Sequence, residues 1–219
     1  MIFIKGGKQM KKSVYSLVLM DSVIKAVDEQ AYKLGTSRSN LINQILAERL
    51  CCTTPEMRMR EIFDSVTERT SNNFQLQQQG SAGLMTLKTA LAYKYRPAVS
   101  YKIELQREPD DFIGRLRVQI RTQNNQLTEL FNNFFIRRVK LEKCCLLEVG
   151  CNTYAYGITS GCFTRKLING TSENDIGTAI SQYINHLNKS MQLYFLSPQD
   201  FPECITESEY REMISNYII

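Results

Sequence analysis

The feature that most constrains this 219-residue chain is a short apolar segment near its start. Residues 13–22 read SVYSLVLMDS, which predicts a brief strand that is apolar on both faces and runs directly into a helix start. The next two segments supply only helical patterns, so this region offers no neighbouring strand to pair with it. The strand must therefore find partners elsewhere to cover two faces.

Two helices are predicted after the strand, with a very short turn between them. Gly35 suits the position after a helix end, where a positive φ is needed, and Ser37 is a natural N-cap for the second helix. Asp21 or Ser22 can cap the first helix. The apolar stripes at helical spacing are Val23, Ile24, Val27, Ala31 and Leu34, then Leu41, Ile42, Ile45, Leu46 and Leu50.

A strand with two helices buries too little apolar surface to be stable alone, and its single strand leaves an unpaired edge. Both problems are removed if two chains pair their strands antiparallel and stack four helices beneath the ribbon. One ribbon face then packs on the helices and the other stays free for a second partner. The sequence therefore predicts a homodimer, or a higher even-numbered oligomer.

Residues 11–50 resemble the ribbon-helix-helix DNA-binding domains of the CopG, Arc and MetJ type. The residues that carry the resemblance are the basic lead into the strand, the turn KLGTSRSNLI and the two stripes in register, within KKSVYSLVLMDSVIKAVDEQAYKLGTSRSNLINQILAERL. The resemblance covers about a fifth of the chain. It implies double-stranded DNA as the partner, with the ribbon inserted into the major groove.

Matching by position, the resemblance assigns the ribbon residues to two faces. The residues expected to face the bases are Val14, Ser16 and Val18, and those expected to face the core are Tyr15, Leu17 and Leu19. The opposite assignment, with the valines inward, stays open because the alternation is weak. Valine contacts thymine methyl groups but cannot hydrogen-bond to base edges, so we expect modest readout biased toward A·T-rich sites, with Ser16 as the only polar reader.

The turn before the second helix is expected to contact DNA phosphates through Ser37, Arg38 and Ser39. A helix N-terminus offers unpaired amides and a partial positive charge, and the resemblance implies a backbone clamp at this turn. The alternative is a helix cap beside a solvated arginine. Lys11 and Lys12 are expected to approach phosphates as well, although a flexible basic tail is the alternative there. Such contacts supply affinity and salt dependence rather than sequence specificity.

The charge distribution supports a polyanionic partner for the N-terminal part. The formal net charge is +5, and residues 1–50 carry 8 Lys and Arg against 4 Asp and Glu, whereas the rest carries 19 against 18. No apolar run approaches the roughly 18 residues that a membrane span requires, so we expect no membrane partner and a cytoplasmic location. Residues 1–10 lack the order of a secretory signal and are expected to form a flexible basic leader.

The break at Cys51–Thr54 and Pro55 predicts that the ribbon-helix-helix module spans residues 11–52. Residues 53–83 are expected to form a helix and a linker, with the polar tract FQLQQQGSAG (74–83) as a loop. Residues 84–219 are expected to form an oligomerisation or sensing domain. The predicted fold class is α+β, with an antiparallel sheet and packed helices in this second domain.

Changes of apolar period locate the elements of that domain. Period-two alternation predicts a hairpin from residues 101–105 and 115–121 around a turn at 109–114, with an earlier strand at 87–95. Residues 139–149 and 154–168 are interpreted as further strands. Helical patterns cover 125–137, a segment capped by Ser172, and 205–219.

Three features of the second domain could carry chemistry. Arg115, Arg117 and Arg121 could form a basic sheet face for DNA or an anionic ligand, or simply a solvated strand face. The cysteines lack the paired spacing of a zinc site, and a catalytic cysteine–histidine pair would need His186, the only histidine. We therefore expect no metal, no cofactor and no enzymatic activity.

Three functional hypotheses follow from the sequence. The first is a sequence-specific DNA-binding regulator, a repressor of bacterial or phage type, whose C-terminal domain oligomerises or senses an effector. The second is a DNA-organising protein of a mobile element, acting in partition, copy control or relaxase assistance. The third is a protein that uses the ribbon only to dimerise and does not bind DNA. The sequence does not identify a small-molecule or protein effector.

Overall fold

The computed structural model describes residues 16–70, 72–152 and 154–219, and the described residues fall into two compact units that divide between Arg58 and Met59. The helices are α1 (Asp21–Lys33), α2 (Arg38–Arg49), α3 (Pro55–Arg69), α4 (Asn125–Glu148), α5 (Ile176–Leu196) and α6 (Glu203–Asn216). The strands are β1 (Gln75–Ser81), β2 (Leu84–Ala90), β3 (Ala98–Leu105), β4 (Phe112–Ile120), β5 (Tyr156–Thr159) and β6 (Cys162–Ile168). None of the described helices is both long and apolar enough to cross a bilayer.

The first unit contains the two predicted helices and the predicted turn. Gly35 adopts φ +60° directly after α1, and the amide of Thr36 donates to the carbonyl of Ala31. Ser37 begins α2 as its N-cap, because its Oγ accepts a hydrogen bond from the amide of Asn40 at 3.2 Å. The local signals for a C-terminal glycine and an N-terminal serine cap are confirmed.

The second unit is built on a six-stranded antiparallel sheet with the order β1-β2-β3-β4-β6-β5. The predicted α+β class with an antiparallel sheet is confirmed, as is the hairpin of β3 and β4. β5 and β6 form a second hairpin, with Gly161 at φ +67° in its turn. This hairpin replaces the undivided strand region predicted at 154–168.

Helices α3, α4, α5 and α6 cover one face of this sheet. Alternate side chains of the central strands, such as Tyr101, Leu116 and Phe163, are buried and join one core with residues of α3, α4, α5 and α6. α3 packs tightly against α5, because a Cβ added at Gly177 would lie 2.6 Å from the side chain of Ser65. The opposite sheet face carries the polar side chains of the strands. The second unit is therefore a two-layer structure.

The polar tract at 74–83 was predicted as a loop, and this prediction is wrong. Residues 75–81 form the edge strand β1, which pairs antiparallel with β2 from Gln75 opposite Lys88 onward. An edge strand is stabilised by backbone hydrogen bonds to one neighbour, and it needs little apolar alternation to stay in place. The tract therefore lacked the pattern that reveals strands in the middle of a sheet.

The strand predicted at 139–149 is also wrong, because α4 continues as a helix to Glu148. Arg138, Glu142, Cys145 and Leu146 are buried at spacings of three and four residues, which keeps one helical face against the core. The strand predicted at 87–95 is shifted, since β2 ends at Ala90. The segment after it turns through positive φ at Tyr95 and Arg96.

Candidate nucleic-acid interface

The start of α2 has the geometry that an anion site requires. Ser37 occupies the N-cap, so the amides of Arg38 and Ser39 lie in the first turn, where a helix offers no internal acceptor. The helix dipole places partial positive charge at the same end. Ser37, Arg38 and Ser39 are therefore brought together at one exposed helix terminus, as the sequence predicted.

Arg38 already has a partner within the first unit. Its guanidinium binds the carboxylate of Asp28 on α1 through two contacts, Nη2 to Oδ2 at 2.6 Å and Nε to Oδ1. The Arg38 side chain is nevertheless about two-thirds exposed. The sequence did not reveal this pair, whose members lie ten residues apart on different helices. Arg38 thus links α1 to α2 and still faces solvent.

The segment before α1 is described from Ser16 onward, and residues 16–20 form no strand with other described residues. Val18 is fully exposed, and Leu17 and Met20 are 60% and 72% exposed. Val14, Lys11 and Lys12 lie outside the described residues. These exposures leave the apolar side chains of the segment largely without packing partners among the described residues of a single chain.

Helix α2 also carries an apolar face that the described residues of the first unit leave largely open. Its buried residues are Leu41 and Ala47. The remaining apolar residues are Ile42, Ile45, Leu46 and Leu50, of which Ile45, Leu46 and Leu50 are 44%, 47% and 68% exposed. At about 100° per residue, Ile45 lies near the direction of Leu41, and Ile42, Leu46 and Leu50 continue around the helix from it. The apolar stripe predicted for α2 is thus largely exposed in one copy.

The outer face of the sheet in the second unit is basic. Arg115 and Arg117 are exposed on β4. Arg117 lies directly opposite Lys102, and Arg115 lies between Glu104 on β3 and Lys166 on β6. Like charges directly across strands destabilise a sheet, and Glu104, which also lies 3.0 Å from Lys102, supplies one local counter-charge among these cations. Arg121 lies just beyond the end of β4 and is exposed.

The second unit also contains a buried ionic cluster that the sequence analysis missed. Glu142 accepts hydrogen bonds from Arg138 Nε at 2.6 Å, Tyr183 at 2.7 Å and Tyr156 at 2.9 Å. The Nε of Arg165 lies 3.3 Å from the same carboxylate, and all three charged side chains are at most 1% exposed. Burial alone would raise the pKa of Glu142, but the two guanidinium charges hold it below its ordinary value.

A signal for this cluster was present in the sequence. Arg138 and Glu142 stand where the apolar stripe of Phe134, Phe135 and Cys145 requires core residues. Arg165 lies between Phe163 and Leu167 on the inward face of β6, where all three side chains are buried. Charges of opposite sign at core positions indicate a buried pair, because an isolated buried charge is too costly.

His186 adjoins the cluster and has no free ring nitrogen. Arg138 can only donate, so the Nδ1 of His186 accepts from it at 3.1 Å, and the Nε2 proton is donated to the carbonyl of Thr206 at 3.2 Å. Burial and the neighbouring charge of Arg138 lower the pKa of His186 to about 4. The imidazole is therefore neutral near pH 7 and holds α5 against α4 and α6.

Acid should destabilise the protein through His186. Its pKa is about 4 when folded and about 6.5 when unfolded, so the unfolded chain binds the proton more readily between these values. The contribution of the neutral His186 to the free energy of unfolding is fully present above pH 6.5. It is lost as the pH falls toward 4, by up to about 3 kcal/mol. His186→Gln keeps an acceptor and a donor but does not titrate. Urea unfolding from pH 7 to 4.5 should show a shallower pH dependence in this variant, and parallel curves would contradict the assignment.

The cysteines form no recognisable site. None of those in the described residues forms a disulfide, and the described part of the chain contains no group of three His, Cys, Asp or Glu residues placed to hold a metal ion. Comparisons of the chain with protein-family models, with curated proteins and with solved structures found no match in any of the three.

Proposed function

We propose that this protein is a DNA-binding transcriptional regulator of repressor type, in which two copies pair their segments around residues 14–19 into a ribbon that enters the major groove. The observation that carries the proposal is the exposed apolar surface of the first unit, together with the capped start of α2. Leu17, Val18, Leu46 and Leu50 are exposed in a single copy, and pairing of two copies would cover the residues that the ribbon does not present to DNA.

The charge distribution supports the same proposal. The start of α2 would hold a phosphate through its first amides, with Arg38 beside them. The basic outer face of the sheet would offer a second cationic surface through Arg115, Arg117 and Lys166. The side chains of this sheet face are long and basic rather than aromatic. They therefore suit contacts with a phosphate backbone better than stacking on single-stranded bases.

The proposal is tested by selecting bound DNA from a random or genomic pool with the full chain. A regulator should enrich one sequence with defined half-site spacing, whereas a DNA-organising protein of a mobile element should enrich repeated sites. Changes at Ser16 or Val18 should alter the preferred sequence. If no DNA is retained while the protein remains dimeric, the ribbon serves only for dimerisation and the proposal fails.

The phosphate role of Arg38 can be separated from its link to Asp28 by a double-mutant cycle. Arg38→Ala should weaken binding to all sequences and reduce the slope of log affinity against log salt by about one unit. Asp28→Ala should strengthen binding by releasing the guanidinium. That gain should be smaller in the double variant. Gel-shift assays at several salt concentrations measure the affinities of the wild type, the two single variants and the double variant.

Arg49→Ala is the matched control, because it removes the same charge from the other end of α2. Arg117→Ala in the same titration reports on the sheet surface and should also reduce the salt slope. An Arg38→Ala variant with unchanged affinity and salt slope would show that Arg38 is only a structural link between the helices.

A further inference from the structure

A cavity of about 340 Å³ opens between α4, α5 and α6 in the second unit, away from the basic sheet face. Its apolar wall is formed by Phe134, Leu141 and Phe201. Its size falls within the range of pockets that hold small molecules, roughly 300–1,000 Å³. An apolar wall with a few convergent polar groups is the usual composition of such sites.

Arg138 is the buried cation of this cavity. It lines the cavity and is 3% exposed. Its Nε and Nη1 donate to Glu142 and His186, but its Nη2 has no acceptor among the described residues. A buried charged donor without an acceptor is costly, which favours a ligand that brings one. Because His186 accepts from Arg138 without carrying charge, it does not neutralise this guanidinium.

One further cation lies at the mouth of the cavity and is available to a ligand. The two acidic residues of the rim are paired with arginines, Glu203 with Arg137 at 2.8 Å and Glu207 with Arg211 at 2.6 Å, and Arg211 also binds Glu148. Lys140 is exposed at the same rim and makes no ion pair with any other residue that the structure describes. The lining carries Arg137, Arg138 and Lys140 against Glu203 and Glu207, so its charge balance is positive.

We propose that this cavity binds a small amphipathic carboxylate. The carboxylate lies against Arg138 and Lys140, and an aromatic or branched aliphatic body lies between Phe134, Leu141 and Phe201. A charge-assisted hydrogen bond from the buried guanidinium provides the selection for an acid over a neutral molecule of the same shape. Use of this cavity as an effector site rests on the proposed regulatory function, whereas the binding itself does not.

The test uses the full chain and three probes that share one shape. Calorimetric titration should show binding of 4-phenylbutyrate, and binding about tenfold weaker for uncharged 4-phenylbutanamide, as expected when a hydrogen bond to a charged group is lost. Binding of 4-phenylbutylamine should be weaker still. Equal binding of acid and amide, preference for the amine through Glu203 and Glu207, or no binding of the acid would each overturn the proposal.

Variants at the cavity wall locate the binding. Lys140→Ala should weaken 4-phenylbutyrate binding by up to about fivefold, whereas Lys143→Ala, an exposed lysine on the same helix outside the cavity lining, should not. Leu141→Trp should abolish binding by filling the cavity, with folding checked by thermal denaturation. Unchanged binding in Leu141→Trp would place the probe elsewhere and overturn the proposal. No DNA is present, so failure here leaves the DNA-binding proposal standing.

Discussion

Replacing Glu142 with glutamine should lower the free energy of unfolding by about 3–5 kcal/mol, the cost of breaking a buried ion pair by removing one partner. Glu142 is the acidic side chain that both Arg138 and Arg165 contact, and it is fully buried. Glutamine keeps the shape of the side chain but turns an NH₂ group toward guanidinium donors. Urea unfolding at pH 7 measures the difference between the variant and the wild type.

The control for this change is Glu129→Gln, which removes the same charge from an exposed position on the same helix and should shift stability by no more than about 0.5 kcal/mol. A further variant separates the effect of charge pairing within the cluster from the effect of side-chain packing. Replacing Arg138, Glu142 and Arg165 together by apolar residues of similar volume should recover much of the loss, because a buried pair contributes little beyond its desolvation cost. A Glu142→Gln variant as stable as the control would show that the cluster does not hold the core together.

The parts of the fold that local signals determine could be predicted from the sequence. Gly35 and Ser37 fixed the turn between α1 and α2, because a positive φ and an N-cap depend on neighbouring residues alone. The alternation around Tyr101 and Leu116 revealed the β3–β4 hairpin in the same way. The alternation of apolar and polar residues is visible in the sequence of these strands because one face of each strand packs against the core.

The parts that depend on tertiary contacts could not be predicted in this way. β1 is polar because it is an edge strand. The second half of α4 has charges in its apolar stripe because Arg138 and Glu142 pair with each other and Glu142 also contacts Arg165 of a distant strand. The lowered pKa of His186 depends on burial and on Arg138, which lies 48 residues earlier in the chain. The pair of Arg38 and Asp28 likewise requires two packed helices.

Leu46→Asp should strongly weaken the proposed pairing of the first unit with a second copy. Leu46 lies within the apolar face of α2 and is 47% exposed in one copy. Full burial of a leucine contributes about 1.5–3 kcal/mol, of which about half remains for a side chain that is already half-buried, and a two-fold interface contains the site twice. The pairing constant should therefore fall by at least about tenfold, and more where the aspartate would be buried. Sedimentation equilibrium over a range of concentrations measures the change.

Asn43→Asp adds the same charge to an exposed position of the same helix and should leave pairing intact. A second copy held by the C-terminal unit could preserve the mass of Leu46→Asp, so DNA retention is measured in parallel. In the proposed DNA-binding mode each half of the ribbon needs the other to enter the groove. Loss of pairing in the first unit should therefore remove specific DNA binding even from a particle of unchanged mass. A Leu46→Asp variant that keeps both its mass and its DNA affinity would show that the apolar face of α2 is not the pairing surface.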